Sequence, residues 1–257
     1  MRANYFMILN LIIFLVLSGC LQRGEKDEIT TALTENKQIS SEVLVFTKTA
    51  GYRHQAIEKG VKTFQKLGEE NSFAITQTED SENFNDANLQ RFALVIFLST
   101  TLDVLNEEQQ QAFTKYINQG GNYMGVHAAT DTEYDWPWYG KLVGAYFKSH
   151  PEQQQATIKV VDRGHAATSH LGDTWIHLDE WYNFKELNPD VKVLMQLDES
   201  SYSGGENGDF HPIAWYHEYE GARSFYTGLG HTEEAYDDPD FQRHLLGGIF
   251  YCLGRDK

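Results

Sequence analysis

In the stretch Gly120-Gly121-Asn122-Tyr123-Met124-Gly125-Val126-His127-Ala128-Ala129-Thr130, two glycines turn the chain and a short apolar run follows. A histidine then arrives where the run ends. This is the pattern of a strand whose carboxyl end presents a side chain. Open α/β sheets bind ligands in the crevice beyond the carboxyl ends of their strands. His127 is therefore the first candidate for chemistry.

Working outward, the residues before Gly120 carry strong helix signals. Asn106 is a candidate N-cap, Gln109 its capping-box partner, Phe113, Tyr116 and Ile117 a buried stripe, and Gly120 a terminator. Ala93 to Ser99 is almost continuously apolar, as a central strand covered on both faces requires. Upstream, the pattern predicts strands at Val43–Thr47 and Phe73–Thr78 around a helix from Ala56 to Leu67. Downstream it predicts strands at Gln155–Val161, Val191–Leu197, Ile213–Tyr219 and Arg223–Gly228, a Gly/Ser-rich loop at Asp198–Phe210, and a final helix at Phe241–Leu253. No repeat or linker interrupts residues 42–257. The expectation is one α/β domain, a single open, mostly parallel sheet flanked by helices, with elaborated loops.

The first forty residues are of another kind. Arg2 precedes an apolar run from Tyr5 to Leu17 that ends in Leu17-Ser18-Gly19-Cys20 and is too short for a comfortable membrane span. This resembles a bacterial lipobox. It predicts a signal peptide over 1–19, acylation of Cys20, a polar tether over 20–41, and an exported protein anchored to a membrane at the periplasm or cell surface. A plain signal peptide or an anchor helix is the competing reading. The full chain carries 21 basic and 37 acidic side chains, a net charge of −16. Such a surface repels phosphate backbones, which argues against nucleic acid as a partner. Beyond Cys20 the only cysteine is Cys252, in an apolar stretch that suits a buried thiol.

Polar groups fall just after several expected strands: Tyr52, Arg53 and His54; Thr100; His127; and His231 with Glu233. In a parallel sheet these ends share one rim, so they would converge. His165, His170, His177, His217 and His244 read as packed imidazoles, and His150 stands between the two groups. Glu180, beside Asp179, Trp181 and Tyr182, offers a carboxylate. On an irregular loop both acids could face a pocket, whereas on a strand only one would. Trp136 and Trp138 offer flat faces for a sugar ring, or simply pin a loop. Two chemistries suit the histidines. A divalent metal such as zinc could be held by His54, His127 and His231, or imidazole and carboxylate could exchange protons without metal.

Lys48-Thr49-Ala50-Gly51-Tyr52-Arg53-His54, Gly120-Gly121 through His127-Ala128-Ala129, Asp179-Glu180-Trp181-Tyr182, His211-Pro212-Ile213-Ala214-Trp215 and Gly228-Leu229-Gly230-His231 occur in that order. Together they resemble the ThuA-like (trehalose utilisation) family over residues 42–257. The resemblance implies a fold similar to flavodoxin-like class I glutamine amidotransferases, whose nucleophilic cysteine sits on a strand-to-helix elbow. His127 occupies that elbow here, so the thiolate route of an amidotransferase is closed, while His231-Thr232-Glu233 keeps the look of the partner motif. The resemblance further implies carbohydrate catabolism. The expected activity is attack on a glycoside or 3-keto sugar, with His127 central, His54 and His231 flanking, Glu180 or Glu233 as carboxylate, and Tyr52, Arg53, Thr100, Trp136, Trp138 and Tyr182 binding substrate. The alternative is a non-catalytic carbohydrate-binding lipoprotein.

Overall fold

A computed structural model describes residues 41–256. The signal-peptide and lipidation readings, and all but the last residue of the tether, lie outside the described residues. The chain runs β1 (Glu42–Phe46), α1 (Ile57–Asn71), β2 (Ala74–Thr78), α2 (Asp86–Leu89), β3 (Leu94–Leu98), α3 (Glu107–Asn118), β4 (Asn122–Val126) and α4 (Pro137–Val143). It continues through β5 (Tyr146–Ser149), β6 (Gln154–Val160), β7 (Thr174–Asp179), β8 (Asn183–Lys185) and β9 (Lys192–Leu197), and ends with β10 (Pro212–Tyr219), β11 (Ala222–Thr227) and α5 (Pro239–Cys252).

Nine strands form one sheet in the order β2-β1-β3-β4-β11-β10-β9-β6-β7, and β5 pairs with β8 apart from it. The first five strands pair in parallel and the next four antiparallel. Following the pairings across, only β10 and β6 run against the rest, so the sheet is mixed and mostly parallel. Strand β7, at the far edge, therefore ends on the same rim as β1, β3, β4 and β11.

The local reasons are legible. Asn106 and Gln109 form the reciprocal capping box that starts α3, satisfying helix N–H groups that would otherwise lack partners. Every side chain of β3 is buried, because helices cover both faces. Helices α1 and α5 pack together on one side. On the other, Phe113 of α3 stacks on Phe97 of β3 at 5.5 Å between ring centres, and Tyr139 of α4 bonds Tyr123 of β4 through their hydroxyls. Each large side chain fully buried this way contributes roughly 1.5–3 kcal/mol.

Two segments depart from the sequence reading. The Trp136–Tyr139 run is not a loop presenting aromatics, because Pro137 opens α4 there. The His177–Tyr182 segment divides, with β7 ending at Asp179 and Glu180 beginning the turn beyond it. Its alternating exposed and buried side chains show an ordinary edge strand, for which Ile176 and Leu178 supply the outward face.

Candidate active site

Strand β4 delivers His127 into a strained elbow. Its φ is +51°, a left-handed conformation that a residue with a Cβ adopts only when its surroundings enforce it. Here the Tyr226 hydroxyl donates to the His127 carbonyl at 2.7 Å. Gly125 allows the turn to fold back, since a Cβ there would lie 3.1 Å from that of Ala129 and 2.8 Å from the Tyr123 hydroxyl. The His127 ring is wholly buried and its Nδ1 faces the Gly228 carbonyl at 2.9 Å. A carbonyl only accepts, so Nδ1 carries a proton there and Nε2 faces inward.

Three other side chains meet that nitrogen. His127 Nε2 lies 3.1 Å from His231 Nδ1 and 3.5 Å from Glu180 Oε2, and His231 Nδ1 lies 3.0 Å from the same Glu180 oxygen. The His54 ring stands edge-on to His127 at 4.8 Å and to His231 at 5.1 Å. One donor atom from each of His54, His127, Glu180 and His231 lies within 4.8 Å of the others. His150 reaches the other Glu180 oxygen with Nδ1 at 3.1 Å while its side chain is 43% exposed, and Tyr182 packs on His127 at 4.4 Å between rings.

The electrostatics follow from burial and proximity. Burial, together with repulsion from His127 and His231, pushes the His54 imidazole down to about 2, so it is neutral at any physiological pH. Burial pushes the Glu180 carboxyl up, but hydrogen bonds and charge from His127 and His231 outweigh it and hold the group well below the usual carboxylate range. An ionised carboxylate is thus enclosed by imidazoles. His54 Nδ1 is buried with no hydrogen-bond partner, and such an atom costs free energy unless something coordinates or bonds it.

The other expected residues divide. Tyr52 stands edge-on to His54 at 4.8 Å and is 63% exposed. Glu233 is exposed on the wall of a cleft that opens onto His231 and is no member of the quartet. Arg53 is committed to Glu58 and Glu79, at 2.7 and 2.8 Å, and those partners raise its pKa against the effect of burial. Thr100 is buried and shares a hydrogen bond with Thr132. Trp138 donates to Glu220 in the β10–β11 turn, at the end of the sheet opposite His127, and Trp136 stacks on it at 4.9 Å. The tryptophans therefore do not join the site, because α4 carries them away from the rim. Cys252 is buried with Sγ against the Tyr123 carbonyl, and burial pushes its thiol far up.

Two contributors were raised by the sequence without an assigned role. One is His150, which stood between the candidate and the packed histidines. The other is Asp179, whose carboxylate accepts from the backbone N–H groups of Glu180, Gly230 and His231 at 2.9, 2.8 and 3.0 Å. The larger hollows beside α3 and α4, about 520 and 580 Å³, are lined by no histidine.

This combination of sheet, elbow and rim can be set beside known proteins. The ThuA family, described as trehalose utilisation, matches residues 42–252, and the chain belongs to it. Its setting is accordingly carbohydrate-related. The chain is similar to a ThuA-like protein from Bacteroides uniformis, with 22% identity and a TM-score of 0.72 over 86% of this chain and 94% of that one. It is similar to another from Parabacteroides merdae, with 20% identity and a TM-score of 0.68 over 84% and 91%. A β-galactosidase from Bacillus circulans sp. alkalophilus shares 12% identity and a TM-score of 0.56 over 85% of this chain and 31% of that one. At these identities the likeness is one of fold, consistent with a class I glutamine amidotransferase-like sheet. No curated protein matches the chain.

Proposed function

We propose that this chain is an exported, lipid-anchored enzyme acting on a glycoside or 3-keto sugar, with His54, His127, Glu180 and His231 as a reaction centre that holds a divalent cation such as zinc. The carrying observation is that three imidazoles and one ionised carboxylate, from segments that follow four strands, bring donor atoms within 4.8 Å of one another while His54 Nδ1 has no protein partner. Donor separations of 3.0, 3.1 and 3.5 Å bracket the roughly 3.3 Å edge of a tetrahedron built on zinc–ligand bonds near 2.05 Å. When bound, such a cation polarises a carbonyl or hydroxyl oxygen of the substrate.

The chain's own residues supply the rest. The His127 Nδ1–H bond to Gly228 fixes the ring and points Nε2 at the centre. Glu180 supplies the compensating negative charge. His150, half exposed on the outer Glu180 oxygen, is placed to carry protons between the centre and solvent. In a 3-keto sugar the ketone acidifies the neighbouring C–H. Removal of that proton with departure of the glycosidic oxygen would cleave the bond as a lyase, and water attack at the anomeric carbon would make it a hydrolase.

A second reading dispenses with metal. The 3.1 Å His127–His231 contact is itself a hydrogen-bond distance, so a proton could pass along His127, His231 and Glu180. The non-catalytic alternative has less support, because the tryptophans on which it drew lie at the far end of the sheet. Metal analysis with turnover before and after chelation separates the readings. Loss of activity restored by the cation supports the first, full activity without metal leaves the second, and no turnover on any glycoside or 3-keto glycoside would overturn both. The lipid anchor, supported by Leu17-Ser18-Gly19-Cys20, is tested by mass spectrometry of the mature N-terminus.

A further inference from the structure

A cleft of about 350 Å³ opens directly onto His231, and its walls are polar. They carry Tyr52, Gln55, Gln153, Thr232, Glu233 and Glu234. We propose that this cleft is a binding subsite for uncharged sugar rings and that it discriminates against phosphorylated and other anionic sugars. The proposal rests on the reading of the quartet as the reaction centre, because the cleft matters only if chemistry occurs at His231.

The argument begins with hydrogen-bonding type. A sugar hydroxyl both donates and accepts, and so does a side-chain amide taken as a whole, whereas lysine and arginine only donate. Gln55 and Gln153 are exposed, and their amides have no hydrogen-bond partner among the described residues. Carboxylates accept strongly from neutral hydroxyls, which gives Glu233 the same use. Tyr52 adds an exposed ring set perpendicular to that of His54, an apolar surface for the C–H face of a pyranose. The volume is near the lower end of the roughly 300–1,000 Å³ typical of small-molecule sites, which suits a short saccharide.

Charge decides the rest. The cleft wall contains two carboxylates and no lysine or arginine. The cations flanking it are committed, Arg53 to Glu58 and Glu79, and Lys59 to Asp237 at 2.6 Å. A phosphate seated against Glu233 and Glu234 would meet like charge and no lysine or arginine to offset it, in a chain whose net charge is already −16.

The test is calorimetry on the full chain with trehalose, maltose, lactose and trehalose 6-phosphate. At least one neutral disaccharide should bind saturably, trehalose 6-phosphate should bind at least about tenfold more weakly than trehalose, and Gln153→Ala and Gln55→Ala should each weaken the neutral ligand by about five- to tenfold. Glu233→Lys should narrow the gap between trehalose and its phosphate. Absence of binding by every neutral disaccharide, equal or tighter binding of the phosphate, or unchanged affinity in both glutamine variants would overturn the proposal. His127→Ala distinguishes the two levels. If that variant retains turnover while the glutamine variants bind weakly, the reaction-centre reading fails and the subsite stands. If it is inactive while the glutamine variants bind normally, the subsite fails and the centre stands.

Discussion

Asp179 and His231 are joined across the sheet, the Asp179 carboxylate accepting the His231 backbone N–H at 3.0 Å, although three strands lie between β7 and β11. The antiparallel wing therefore brings its last strand back to the rim where the parallel strands end. The same carboxylate holds Glu180 and Gly230 by their N–H groups, so one wholly buried side chain sets the spacing between Glu180 and His231.

Asp179→Ala removes the acceptor for three N–H groups, two of them buried and the third partly so. Stability should fall by about 3 kcal/mol, given that bonds to a charged acceptor contribute roughly 1.5–3 kcal/mol each but not additively. Turnover should fall with it even at temperatures where the variant remains folded. Urea denaturation and kinetics on the same preparation check both, and a folded Asp179→Ala variant with unchanged kcat would remove its positioning role.

His127→Ala should lower turnover by about two to four orders of magnitude, the usual contribution of a positioned proton-transfer group. Stability should change less, because the left-handed strain at residue 127 remains. His127→Gly should be more stable than His127→Ala by about 1 kcal/mol, since glycine adopts that φ without strain. Paired melting curves measure the difference.

Chelation should lower the melting temperature and Zn²⁺ should restore it, because a ligand that binds only the folded state stabilises it. Glu180→Gln should lose most of that metal-dependent rise while keeping its hydrogen-bonding shape. Differential scanning calorimetry with inductively coupled plasma analysis provides the readout, and an identical metal response in Glu180→Gln would place the cation elsewhere.

His244 makes stability fall in acid. It is wholly buried, its Nδ1 bonds the Ala167 carbonyl, and burial pushes its pKa from 6.5 down to about 3. A depressed histidine costs nothing above 6.5. As pH falls below that value the unfolded chain takes up a proton that the folded chain refuses, so stability declines down to about pH 3, by roughly 2 kcal/mol at pH 5. His244→Gln should flatten the stability difference between pH 7.5 and pH 5, as measured by urea titration. His165 and His217, also lowered chiefly by burial, add to the slope and will remain in the variant.

Much of the parallel half was legible because its signals are local. The capping box at Asn106, the uninterrupted apolar run of β3 and the glycine turn before β4 each depend on residues a few positions apart. Those same strand ends flagged His54, His127 and His231. The tryptophan surface was misleading for the same reason: aromatic spacing says nothing about which end of a sheet a segment reaches, and Pro137 starts a helix that carries Trp138 to Glu220.

Composition and local pattern were thus sufficient to determine an α/β sheet with histidines at its rim, since burial periodicity and turn chemistry act over short stretches of chain. Only the tertiary structure decided that Glu180 rather than Glu233 completes the quartet, that His150 borders it and that Asp179 braces it. Those choices depend on the direction and curl of β7, which are set by pairings between strands distant in sequence, and no local pattern encodes them.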